Sequence, residues 1–121
     1  MIKFISILSI LSCFSINNAV CGDFKPINKE YRARIIQAIF KLEGGNKTPY
    51  PFGVRSIDTK GNKELARQIC ARTISNHYIR WQQYGKTNSF LISLADRYCP
   101  AKTDKIGNKN WRKNIVAMVK E

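Results

Sequence analysis

The chain is 121 residues long and carries a formal charge of +13, from 21 lysines and arginines against 8 acids. That length excludes a multidomain assembly, and the charge calls for an anionic partner or surface: cell wall, membrane, nucleic acid or polyanionic sugar. Four cysteines and one histidine, with no Cys-x-x-Cys spacing, argue against a metal centre, and neither a metal nor another cofactor is expected.

Residues 1–22, MIKFISILSILSCFSINNAVCG, set Lys3 before an apolar run from Phe4 to Ile16 and then small residues. This is the anatomy of a secretory signal peptide. The run is too short to span a bilayer, so no stable membrane span is expected in the mature chain. Cleavage after Gly22 leaves Val20 and Gly22 at the two positions the peptidase inspects. A lipoprotein with Cys21 lipidated is the alternative, disfavoured by the bulk of Val20. The mature chain, residues 23–121, is expected to be secreted or periplasmic, monomeric and a single domain of about 99 residues, with a charge of +12. Cys13 and Cys21 leave with the signal. Cys70 and Cys99 remain, and an even pair in an exported domain predicts one disulfide.

Four helical patterns follow. Asn28 can cap the first, with Glu30 in its opening turn. Tyr31, Ile35, Ala38, Ile39 and Leu42 recur at helical spacing, and Gly44-Gly45 stop it. Between the first and second helices, Val54, Ser56 and Ile57 permit a short β-hairpin or an irregular loop, ended by Lys60-Gly61-Asn62. The second helix runs from an Asn62 cap to Gly85, with Ala66, Ile69, Cys70, Thr73, Ile74, His77, Trp81 and Tyr84 on one broad face. Thr87 or Asn88 caps a short third helix with Phe90, Leu91, Leu94, Ala95 and Tyr98 inward, closed by Pro100. Asn108 or Asn110 starts a fourth carrying Trp111, Ile115, Met118 and Val119. The expected fold is mostly α, a small helical domain in which the disulfide staples the middle of the second helix to the end of the third.

In a chain so poor in acids, Glu43 stands out in the segment KLEGGNKTPYPFGVRS, residues 41–56. A helix C-terminus disfavours a carboxylate, and the neighbouring Phe40, Leu42 and aromatic loop disfavour it further by desolvation. Both effects favour the neutral acid that protonates a glycosidic oxygen. The glycines allow close approach of a bulky ligand, and Tyr50, Phe52 and Tyr98 offer flat faces for sugar rings. The alternative is a surface Glu43 paired with Lys47 or Arg55, with Gly44-Gly45 only a C-cap.

AIFKLEGG followed by PYPFGVRS resembles the catalytic region of the lysozyme-like muralytic superfamily, which includes lytic transglycosylases, goose-type lysozymes and related glucosaminidases. In those families a helix ends in a catalytic Glu followed by Ser or Gly, and a Gly-containing hairpin or loop walls the cleft. FLISLADRYCPAKTDKIGNKNWRKNI is similar to the ending of wall-lytic domains, where a helix, a Tyr-x-Pro and a loop precede an aromatic helix. Tyr98, Pro100 and Trp111 stand at those positions. The likeness spans residues 33–119. It implies a lysozyme-like domain over residues 23–121, with Glu43 as the general acid and base. Tyr50, Phe52, Gly53, Ser56 and Tyr98 are then the substrate-binding residues, and peptidoglycan or another anionic wall polysaccharide is the partner. It also implies a single-Glu reaction: protonation of the leaving oxygen, stabilisation of the sugar cation by the substrate's acetamido group, then attack by the C6 hydroxyl to give an anhydro product. A hydrolase would place water with a second carboxylate, for which Asp58 is the candidate. Asp96 beside Arg97 reads as solvent-facing, and Asp104 as a charge pair in a basic loop.

His77 reads as a hydrogen-bonded core histidine, and Trp81 and Trp111 as core rather than sugar platforms. No nucleic-acid partner is expected, because export and the lack of a binding motif count against one. Two rivals remain: a secreted cationic wall-binding or antimicrobial protein of lysozyme-like fold without catalysis, and an exported adaptor or inhibitor docking by its basic face. The side of the molecule on which Glu43 lies discriminates between them.

Overall fold

The computed structural model describes residues 24–55 and 59–119. The expected signal peptide, with Cys13 and Cys21, lies outside them, as do Ser56, Ile57 and Asp58. The chain is mostly α: α1 (Lys29–Leu42), α2 (Lys63–Gln83), α3 (Phe90–Tyr98) and α4 (Lys105–Val119). No strand occurs among the described residues. The described part of the segment between α1 and α2 is irregular, with two 3-10 turns, Gly45–Lys47 and Pro51–Gly53, and no hairpin among the described residues.

Each helix begins on a side chain that accepts an otherwise unpaired backbone N–H. Asn28 Oδ1 accepts from Tyr31 N and Asn62 Oδ1 from Leu65 N, both at 3.0 Å, as the sequence predicts. The other two starts differ. Ser89, not Thr87 or Asn88, caps α3 by accepting from Ile92 N at 3.2 Å. Asp104, not Asn108 or Asn110, caps α4 by accepting from Gly107 N at 2.8 Å. Asp104 is thus a cap rather than a surface charge partner.

One core joins the four helices. Ile35 and Ile39 of α1, Cys70 and Ile74 of α2, Leu94 of α3, and Ile115 and Val119 of α4 are fully buried. α1 packs against α2, α4 and the loop. A second cluster surrounds Phe90. The rings of Tyr31, His77, Tyr78 and Trp81 lie 5.0–6.5 Å from it, and the indole of Trp81 donates to Asn88 O at 2.7 Å. Two residues expected inward face out instead: Tyr84, just past the end of α2, is 72% exposed and Met118 is 46% exposed.

A polar latch ties α3 to α4. Asp96 accepts from Arg112 Nε at 2.9 Å and Nη2 at 2.8 Å, and from Asn108 Nδ2 at 2.8 Å. Asn108, buried, also donates to Cys99 O at 2.7 Å. Asp96 is therefore a helix-to-helix link rather than the free surface acid that its neighbour Arg97 suggests. The Arg112 hydrogen bonds hold its carboxyl below the usual range. The resulting stabilisation is present above the unfolded value of about 3.9 and is lost as pH falls through the depressed native one. The ion pair is open to solvent, which screens it, so it contributes little to stability. Asn108 matters more, because removing it leaves the Cys99 carbonyl unpaired. Urea unfolding should show Asn108→Ala losing about 1–3 kcal/mol, while Asp96→Asn should flatten the acid limb of the stability profile. Equal acid sensitivity in wild type and Asp96→Asn would contradict this account of the latch.

Candidate functional site

Glu43 is the residue immediately after α1, and its N–H still closes the last turn onto Ile39 O at 2.9 Å. The next residue, Gly44, turns left-handed at φ +106. A Cβ there would stand 3.0 Å from Thr48 Cβ, so a side chain would crowd the returning loop. The turn brings the chain back past the helix end, where Phe52 and Gly53 adopt consecutive left-handed conformations, φ +59 and +71. Such a backbone is costly for a phenylalanine, at about 1–3 kcal/mol. Burial of its ring offsets that: Phe52 is 5% exposed and packs on Phe40 with centroids 5.1 Å apart.

This geometry lays Gly53 directly on the Glu43 carboxyl. A Cβ on Gly53 would fall 2.7 Å from Glu43 Oε1, closer than real contacts allow. The other oxygen, Oε2, accepts a 2.9 Å hydrogen bond from the indole N–H of Trp111 on α4. Trp111 is buried and stacks on Tyr98 of α3, with centroids 5.2 Å apart and planes 11° from parallel. The Tyr98 hydroxyl in turn lies 3.5 Å from Cys70 Sγ on α2. Four helices and the loop thus converge on one half-buried carboxyl. Glu43 pairs with neither Lys47 nor Arg55 among the described residues. Oε1 has no hydrogen bond to another described residue, and the one fully buried side-chain polar atom without a partner among them is His77 Nδ1.

On the outer side of Gly53 opens a cleft of about 430 Å³. The loop supplies Phe52, Gly53, Val54 and Arg55, α2 supplies Ile69, Cys70 and Thr73, and α3 supplies Arg97 and Tyr98. Of the site residues expected from sequence, Phe52, Gly53 and Tyr98 line it. Glu43 does not line it, but its carboxyl touches the lining residue Gly53. Tyr50 does not line it but lies under the Arg55 guanidinium, 4.5 Å from ring centre to Cζ. Ser56 and Asp58 fall outside the described residues. Sequence reasoning missed Trp111, which it assigned to the core, along with Arg55, Thr73 and Arg97. The only sequence signal for Trp111 is its indole N–H, a donor that needs a partner once buried.

The predicted Cys70–Cys99 disulfide is not formed, and both are free cysteines. Cys70 Sγ meets the Tyr98 hydroxyl, and Cys99 follows as the C-cap of α3 at φ −143. Burial pushes the Cys70 thiol up to about 11 and the Tyr98 hydroxyl upward too, so both stay neutral. Burial likewise lowers His77, helped by the charges of Arg97 and Arg80. Its Nε2 lies 2.8 Å from Ser93 Oγ, and it remains a packing residue outside the cleft. No group of side chains able to hold a metal occurs among the described residues.

Two measurements test this geometry. Trp111→Phe keeps the Tyr98 stack but removes the donor to Glu43, and should lower stability by about 0.5–1.5 kcal/mol; no change in urea midpoint would mean the bond contributes nothing. In chain starting at Asp23, a thiol reagent should label Cys99 first and Cys70 only on unfolding. Absence of free thiols after denaturation would show that the bridge forms after all.

No protein-family model, curated protein or solved structure matches this chain.

Proposed function

We propose that the protein is an exported enzyme that cleaves peptidoglycan or a related wall glycan, with Glu43 as general acid and then base. The observation that carries this reading is the seat of Glu43. One oxygen is fixed by Trp111, and the other has no hydrogen bond to another described residue and lies against Gly53, which lines an open cleft. A surface glutamate needs no such arrangement. A catalytic one does, because proton transfer depends on holding the acid within hydrogen-bond reach of the leaving oxygen. The requirement for glycine at 53 follows as well, since any side chain would displace the carboxyl from the wall. The resemblance to lysozyme-like muralytic domains supports the same assignment of Glu43 and of the Phe52-Gly53-Val54 wall.

In the reaction, Glu43 protonates the glycosidic oxygen and the substrate's acetamido group stabilises the sugar cation. Glu43 then takes the proton of the attacking hydroxyl. The single-carboxyl scheme is the one the resemblance implies, and the Asp58→Asn variant separates it from one that positions water through Asp58. The +12 charge of the mature chain suits an anionic wall.

Glu43→Gln keeps size and hydrogen bonding to Trp111 but cannot shuttle a proton. Release of soluble fragments from purified wall should fall about 10²–10⁴-fold, with wall binding retained and Asp58→Asn nearly unaffected. Undiminished lysis by folded Glu43→Gln would remove the assignment. Loss only in Asp58→Asn would move the chemistry there. Wall binding without lysis by the wild type would favour the non-catalytic wall binder.

A further inference from the structure

Among the described residues, the wall of the cleft beside Glu43 carries two cations and no acid. Arg55 comes from the loop and Arg97 from α3, and both are exposed. Neither has a carboxylate partner among the described residues. The acid nearest Arg97 in sequence, Asp96, is committed to Arg112 through two hydrogen bonds. Two guanidinium groups facing one cleft of about 430 Å³ repel each other in the free protein. An anion entering between them relieves that repulsion and finds rigid, forked donors. Arg55 is also restrained in advance. Its guanidinium sits over the Tyr50 ring at 4.5 Å, a contact that uses the π-face and leaves N–H donors for an acceptor. The remaining wall mixes the apolar Phe52, Val54 and Ile69 with uncharged polar groups of Thr73, Tyr98 and Cys70, which suits a sugar carrying an acidic substituent better than a densely charged polyanion.

We propose that Arg55 and Arg97 form a carboxylate-binding subsite. The cleft would then select glycans whose acid-bearing substituents flank the bond presented to Glu43. This deepens the reading of Glu43 as the acid of a glycan-cleaving site and rests on it. The two arginines are specificity residues, distinct from the basic surface that attracts the chain to walls in general.

The test uses soluble wall glycan freed of phosphate polymers, either native or with its carboxylates converted to methylamides by carbodiimide coupling. Binding is measured by calorimetry in the Glu43→Gln background, which prevents turnover. Native glycan should bind at least about tenfold more tightly than the amidated form, a ratio of two charge-assisted contacts. Adding Arg55→Gln and Arg97→Gln should bring the ratio close to one. Lys102→Gln, Lys105→Gln and Lys109→Gln together should leave it intact. Both arginines are exposed, so circular dichroism should show the double variant folded. Equal binding of the two glycans, binding of neither, or a ratio that survives the arginine changes but not the lysine changes would overturn the subsite. Carboxylate-dependent binding by these arginines without cleavage of native glycan by the wild type would retain the subsite and reject the enzyme.

Discussion

The hydrogen bond from Trp111 Nε1 to Glu43 Oε2 joins two residues 68 positions apart in the chain, and the arrangement of the site follows from it. It requires the last turn of α1 and the first half of α4 to lie side by side. It requires Trp111 to be buried with its N–H aimed at a helix end, and the stack on Tyr98 fixes that aim. Tyr98 can stack there only because α3 is short and ends at that residue, and because the Asp96–Asn108–Arg112 latch holds α3 against α4. The same Tyr98 reaches α2 through Cys70. The carboxyl is therefore positioned by the whole bundle rather than by its own helix.

The loop completes the seat at a local cost. Left-handed backbone at Phe52 is unfavourable, yet it turns the phenyl ring into the core and brings the bare backbone of Gly53 against Oε1. Strain of this kind persists where surrounding packing fixes it, and here it falls on the wall between the carboxyl and the cleft. Charge follows the same division. The cations of the cleft stand on the loop and on α3, while the acids of α3 and α4 are used internally, Asp96 in the latch and Asp104 as a cap. The cleft is thereby left electropositive.

The helices, their first two caps and the glycine stop after Glu43 were legible in the sequence, because helical periodicity and capping are local signals. The caps at Ser89 and Asp104 were misplaced by one to several residues, because several polar residues compete at each start and only the accepted hydrogen bond decides. Asp96 and Asp104 were misjudged because their partners lie across a turn or on another helix. The disulfide was inferred from cysteine parity, which carries no information about direction, and in the structure it is the Tyr98 hydroxyl that meets Cys70 Sγ. Glu43 was visible by its isolation among basic residues. Trp111 was not visible as its partner, because a buried tryptophan looks the same in sequence whether its N–H meets a carbonyl or a carboxyl. The backbone of Phe52 was equally hidden, since nothing in the sequence marks a phenylalanine for a left-handed conformation.

The central claim is that Oε1 of Glu43 reaches the scissile glycosidic oxygen at the edge of Gly53. A crystal structure of the Glu43→Gln protein with a peptidoglycan oligosaccharide tests it most directly. The account predicts a glycan in the cleft between the Phe52–Arg55 loop and α3, with one glycosidic oxygen about 2.6–3.2 Å from the residue 43 side chain. A glycan seated elsewhere on the basic surface, with residue 43 still enclosed between Trp111 and Gly53 and touching no sugar, would contradict it.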